Sequence, residues 1–166
     1  MAWPPAAVVT DDAAHTSLMM QGGLLRAMSP NFVPQIPGGC VAEQAGATQA
    51  VNDLLMSSYD GVIELFPAGW IEGGSASFTT LRARGAFLIS AGWSHGAVLD
   101  GVTLLSEAGS NVAMVNPFTS DCDAELPAVV ETRSGAVVNS SRTVGKSCTF
   151  GFATAPGKSY TISRRT

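Results

Sequence analysis

The pentapeptide GWSHG, residues 92–96, places Ser94 in the G-x-S-x-G pattern of a nucleophile elbow, the chemistry of acyl transfer. That device needs a strand, a sharp turn and then a helix. Here AVLDGVTLL follows, which alternates like a strand and has no helical face. The hydrolase order of serine, acid and histidine fails as well. His15 precedes the serine, and His95 is its immediate neighbour, badly placed to act as its base. SHG is therefore read as a β-hairpin turn with Gly96 at positive φ.

A second candidate is DCDAE, residues 121–125, whose carboxylates at alternate positions could gather a calcium ion. An EF-hand loop started at Asp121 would need glycine sixth and glutamate twelfth, where Leu126 and Thr132 stand. A solvated acidic loop is the expectation, and no metal site is assigned. Cys40, Cys122 and Cys148 have no metal-ligand spacing; one pair could form a disulfide in an oxidising compartment, and reduced buried thiols are equally allowed. Asn139, in NSS, is a glycosylation acceptor if the chain is secreted. Arg82 and Arg84 fall on one strand face, a solvated edge by default and a place for a sugar or carboxylate otherwise. Trp70 and Trp93 could stack on sugar rings, although core or hairpin packing is the commoner fate of tryptophan. No pair of carboxylates stands out as an acid and base couple. Asp53 lies within a helical pattern and Asp60 in the turn that ends it, so Glu43 alone sits where a loop could open over a pocket.

The elements that would position these groups are read from period and punctuation. Residues 14–28 carry Leu18, Met19, Leu25 and Met28 at helical spacings, interrupted by Gly22 and Gly23. Pro30, Pro34 and Pro37 then deny regular structure to SPNFVPQIPGG. Residues 42–58 form the clearest helix: Ala47, Val51, Leu54, Leu55 and Ser58 share one face, and Glu43 suits the positive end of its dipole. After Gly61 the period changes to that of strands, predicted at 62–66, 77–83, 86–93, 97–107, 111–116, 128–132, 135–140, 148–153 and 159–164. The fold class expected is mainly β, an antiparallel β-sandwich preceded by one or two helices. The helical segment spans residues 1–60 and the sandwich residues 61–166.

Composition agrees with this. Of 166 residues, 46% are hydrophobic and 13% charged, with 18 glycines and 9 prolines, which favours short strands joined by turns. A net charge of −4 spread along the chain argues against nucleic acid or an anionic membrane as partner. The start MAWPPAAVVTDD lacks the basic and continuous apolar segments of a secretory signal, and no apolar run approaches the roughly 20 residues of a membrane span. Localisation is left open.

The run ATQAVNDLLMSSYDGVIELFPAGW, then LRARGAFLISAGW and LLSEAG, resembles the C-terminal part of glycoside hydrolase family 95, the α-L-fucosidase family. There the last helix of an (α/α)6 barrel carries a pattern like EMLLQSHDGVIRLLPALP and passes into a β-sandwich containing LRARGGF. Near the end, APGKSYTIS resembles the family's closing strand. The resemblance covers residues 30–118 well and the remainder weakly. It implies hydrolysis of terminal α-linked fucose with inversion, by carboxylates set in the barrel. In the family the loop before the last helix reads like QIDGNFG, and its aspartate helps to activate water. Here QIPGGCVAE keeps Gln35, Ile36 and Gly38, but Pro37 takes the aspartate's place, and proline can neither accept a proton nor polarise water. No catalytic residue is assigned. Gln35 and Glu43 remain as substrate-binding candidates, with Glu43 a substitute acid in divergent relatives.

On this resemblance the chain is the tail of such an enzyme, an accessory or structural region lacking the catalytic carboxylates, with no cofactor. Its expected partners are a missing catalytic barrel or a carbohydrate such as a fucosylated glycan. Leu18, Met19, Leu24 and Leu25, left without their usual barrel neighbours, would mark an interface or an aggregation liability. A stand-alone carbohydrate-binding sandwich is the alternative.

Overall fold

The computed structural model describes residues 49–67, 74–143 and 148–165. Its described helix, residues 49–55 (α1), leads into a pair of short strands, β1 (Met56–Ser57) and β2 (Glu64–Leu65). The helix was expected to continue to Ser58. It stops earlier because Met56 and Ser57 pair with Leu65 and Glu64, a tertiary demand that overrides local helical preference. Phe66 N–H donates to the Leu55 carbonyl at 2.9 Å, satisfying one of the acceptors that a helix end leaves open. The intervening Ser58–Gly61 turn closes with Gly61 N–H on the Ser58 carbonyl at 3.2 Å, and Gly61 takes φ 84°. The β1–β2 hairpin thus straddles the expected boundary at residue 60.

The remaining strands are β3 (Ser75–Ala83), β4 (Phe87–Ser94), β5 (Ala97–Val98), β6 (Val102–Ser106), β7 (Val112–Val115), β8 (Ala128–Glu131), β9 (Val137–Val138), β10 (Ser140–Arg142), β11 (Thr149–Phe152) and β12 (Lys158–Ser163). One antiparallel sheet runs β3-β4-β6-β12-β8-β9, with β5 folded back on β4; a second runs β10-β11-β7. Ile63 bridges in parallel to Met114, tying the β1–β2 hairpin to the second sheet. The two sheets form the expected sandwich-like arrangement, mainly β, with one short helix before the strands.

Two predicted strands are each divided. Residues 97–107 break at Gly101, φ 83°, into β5 and β6. Residues 135–140 divide because the chain changes sheets at Asn139: β9 pairs β8 in the larger sheet, and β10 pairs β11 in the smaller.

Alternation builds the core. Phe87, Ile89 and Ala91 of β4, Val102 and Leu104 of β6, Tyr160 and Ile162 of β12 and Val129 of β8 turn inward from one sheet. Val112 and Met114 of β7 and Phe150 and Phe152 of β11 face them from the other. Buried Ser106 stays satisfied through Thr154 Oγ1 at 2.7 Å and the Gly109 N–H at 3.1 Å. The edge strand β3 is interrupted by a register shift between Phe78 and Leu81, where Thr80 takes φ 56° and its N–H is bound by Ser90 Oγ at 3.0 Å. Such a bulge on an open edge discourages pairing with a second chain.

Candidate functional site

The helix end is where ionisable groups converge. Gln49 and Asp53 lie one helical turn apart on α1, so their side chains meet on one face. The Ser58–Gly61 turn returns Tyr59 to the same place. Asp53 Oδ1 accepts from Gln49 Nε2 at 2.6 Å and from the Tyr59 hydroxyl at 2.6 Å, while Gln49 Nε2 also lies 2.9 Å from the Tyr59 oxygen. Asp53 is 4% exposed, and its Oδ2 is buried with no hydrogen-bond partner among the described residues. The hydrogen bond to Asp53, then burial and the negative charge there, raise the Tyr59 pKa above its ordinary value.

The opposite wall comes from the β3–β4 hairpin. Arg84 N–H donates to Ser58 Oγ at 3.1 Å, and Arg82 to Ala86 line the far side of a cavity of about 520 Å³ that Asn52, Asp53 and Tyr59 share. Gly85 takes φ 89° at the hairpin tip, and a Cβ there would meet the Phe87 ring at 2.6 Å, so the turn needs glycine twice over. Arg82 is bound by Glu107 through both terminal nitrogens, at 2.6 and 3.2 Å, which raises its pKa. Chemically, the site offers a fixed acceptor oxygen, a phenol and two guanidinium groups around one opening. Sequence reading set Asp53 aside as a helix residue. The Gln-x-x-x-Asp spacing followed by a tyrosine in the terminating turn was the signal that could have found it.

Other candidates distribute themselves elsewhere. His95 and Gly96, at φ 52° and 80°, form the two-residue loop between paired Ser94 and Ala97, which is the hairpin reading of GWSHG. Ser94 Oγ does lie 2.8 Å from His95 Nδ1, closer than adjacency suggested. The pair rides an exposed turn that leads into β5 and not into a helix. Asp121 Oδ1 accepts the Asp123 N–H at 2.9 Å and Glu125 pairs with Arg165 at 2.7 Å, so the DCDAE carboxylates diverge. Arg84 sits in the turn beyond β3, so it does not share a strand face with Arg82 as expected. Trp93 packs against Phe66, ring centres 5.7 Å apart. Cys122 and Cys148 form a disulfide. Asn139 is exposed. Gln35, Pro37, Cys40, Glu43, Trp70 and the predicted helix at 14–28 lie outside the described residues. Neither a scan against protein-family models nor a search of curated proteins finds a match to this chain.

Proposed function

We propose that this chain is the C-terminal accessory region of an α-L-fucosidase-like glycoside hydrolase, which braces a catalytic barrel and does not cleave glycosides alone. One observation carries the reading. The two segments most similar to the family, NDLLMSSYDGVI and LRARGAF, are separated by 17 residues in sequence yet line the same cavity. They are also joined directly, by the Ser58 Oγ bond to Arg84 N–H. A resemblance produced by chance in composition has no reason to place its two strongest motifs in contact. Their contact is what a junction between a closing barrel helix and its sandwich requires. The side chains are spent in the same sense: Asp53, Gln49 and Tyr59 lock the helix end in orientation, and Met56 and Leu65 carry the adjoining hairpin into the sandwich core.

Incubating the purified chain with a fucosylated oligosaccharide tests this. No release of fucose is expected. Turnover that disappears on changing a single acidic side chain overturns the accessory role.

A further inference from the structure

The corner where the chain passes from one sheet to the other is left open by the described residues. Among the described strands β9 is outermost in the larger sheet and β10 outermost in the smaller, and Asn139 alone joins them. β9 borders β8 and β10 borders β11, so each leaves one side of its backbone unpaired within these sheets. Asn139 is exposed, as is Ser141 two residues on. Val137, two residues before, is 74% exposed, the most of any large hydrophobic side chain described. The Asn139 amide makes no hydrogen bond to the described residues. Arg142 donates to the carbonyls of Cys122, Asp123 and Ala124, which fixes the strand bearing Ser141 against the disulfide loop.

Asn139-Ser140-Ser141 is an acceptor sequence for oligosaccharide transfer to an asparagine amide, with a residue other than proline in the middle and a hydroxyl in third place. No other asparagine of the chain has serine or threonine two residues on. Three residues recur easily by chance, so the motif needs a second, independent observation. The disulfide supplies it. Cys122 and Cys148 are 26 residues apart, and Asn139 lies inside the interval that they close. Such bonds form and persist in oxidising compartments, the secretory lumen among them. Oligosaccharide transfer to asparagine takes place in that same lumen. The bond that shapes this corner and the sequence that would modify it therefore ask for one compartment, and the exposure of Asn139 and Ser141 lets the folded chain carry the product.

We propose that Asn139 is an acceptor for N-linked glycosylation. The donor is an oligosaccharide carried on a lipid diphosphate. The Asn139 amide nitrogen bonds to the anomeric carbon of the first sugar. The bond from that carbon to the diphosphate oxygen breaks, the lipid diphosphate leaves, and one amide proton passes to the transferase. The linkage formed is neutral and keeps an amide N–H. Sheet order says where the glycan stands. β9 is five strands from β3 in the larger sheet, at the edge opposite the β3–β4 hairpin that meets the helix end. A glycan on Asn139 thus leaves the helix junction uncovered. The inference goes beyond the bracing role and does not depend on it.

The test is expression of the full chain behind a cleavable secretory leader in cultured mammalian cells, followed by intact-mass and peptide-mass measurement before and after treatment with a peptide N-glycosidase. A single glycan is expected, released by the enzyme with deamidation at position 139, on molecules that also carry the Cys122–Cys148 bond. Asn139→Gln and Ser141→Ala are each expected to lose the glycan completely, and Ser141→Thr, which keeps the hydroxyl, to retain it. Because Asn139 points no hydrogen bond into the fold, Asn139→Gln should be secreted with its disulfide formed. A secreted wild-type chain without a glycan at position 139 overturns the inference. So does a glycan that survives Ser141→Ala, or one confined to molecules that lack the disulfide.

Discussion

The two ends of β4 each bury a polar atom that has no partner among the described residues, and they do so with opposite construction. At the helix junction the unpaired atom is Asp53 Oδ2, and its companion oxygen is held by Gln49 and Tyr59, four residues before and six after. Everything that fixes that carboxylate comes from one short local stretch. At the other end, an aromatic cleft, the unpaired atom is Trp93 Nε1, and the walls come from β2, β4, β5, the loop after β7 and Cys148 just before β11. That site exists only after distant segments have closed. Local construction makes a hinge-like fitting between helix and sheet; non-local construction makes a cavity whose shape depends on the completed fold. The arginines also divide unequally, with Arg82 and Arg84 beside the junction cavity and none among the described residues that line the cleft.

Removing the disulfide is the harshest way to break this contrast. Cys122 and Cys148 are 26 residues apart, so the cross-link restricts the unfolded chain substantially and contributes about 3 kcal/mol. Cys122→Ser is expected to lower the unfolding free energy by about that amount in urea titration, and the Trp93 indole resonance should move with it. The Tyr59 ring resonances should not. Equal disturbance at both ends would mean that the regions are coupled, and the contrast between local and distant construction would fail.

Asp53→Ala attacks the other end. It leaves the Gln49 amide and the Tyr59 hydroxyl without their shared acceptor and costs about 2 kcal/mol, measured by the same titration. Asp53→Asn keeps an oxygen for both donors and costs less. The Trp93 indole peak is expected to stay in place in both variants. If the asparagine variant is as unstable as the alanine one, charge and not hydrogen-bond geometry holds the helix end.

Much of the sandwich is legible in the residues. Alternation in AFLISAGW and SYTISR, and glycines at the turns, place β4 and β12 within a residue or so. What period alone could not reveal is where a strand must leave one sheet for another. Nothing in GAVVNS distinguishes Val138, paired with Val129, from Ser140, paired with Phe152. The choice is set by the two sheets' closure, which is a property of the whole chain. The helix end shows the same limit: Met56 reads as helical and becomes a strand residue because Leu65 is there to pair with it. The junction site was partly visible, since Gln49, Asp53 and Tyr59 are close in sequence. The cleft was not, apart from Trp93, because its other walls have no shared motif and its disulfide partner was one of three possible pairings.

The finest cut at the junction uses pH. The Tyr59 hydroxyl donates to Asp53 Oδ1, which favours the protonated phenol in the folded state and raises its pKa. The unfolded chain has an ordinary tyrosine, with a pKa near about 10. The raised folded value means that the stabilisation is complete below that ordinary pKa and is lost as pH rises through the folded one. Tyr59→Phe removes the group, so the gap in unfolding free energy between wild type and variant should be constant from neutral pH to about 9 and should close above about 10. Tyr59 is 50% exposed, so the gap belongs at the low end for a hydrogen bond, about 0.5 kcal/mol. A gap that persists unchanged into strong alkali would show that the ring's packing, and not its proton, is what Tyr59 contributes to the junction.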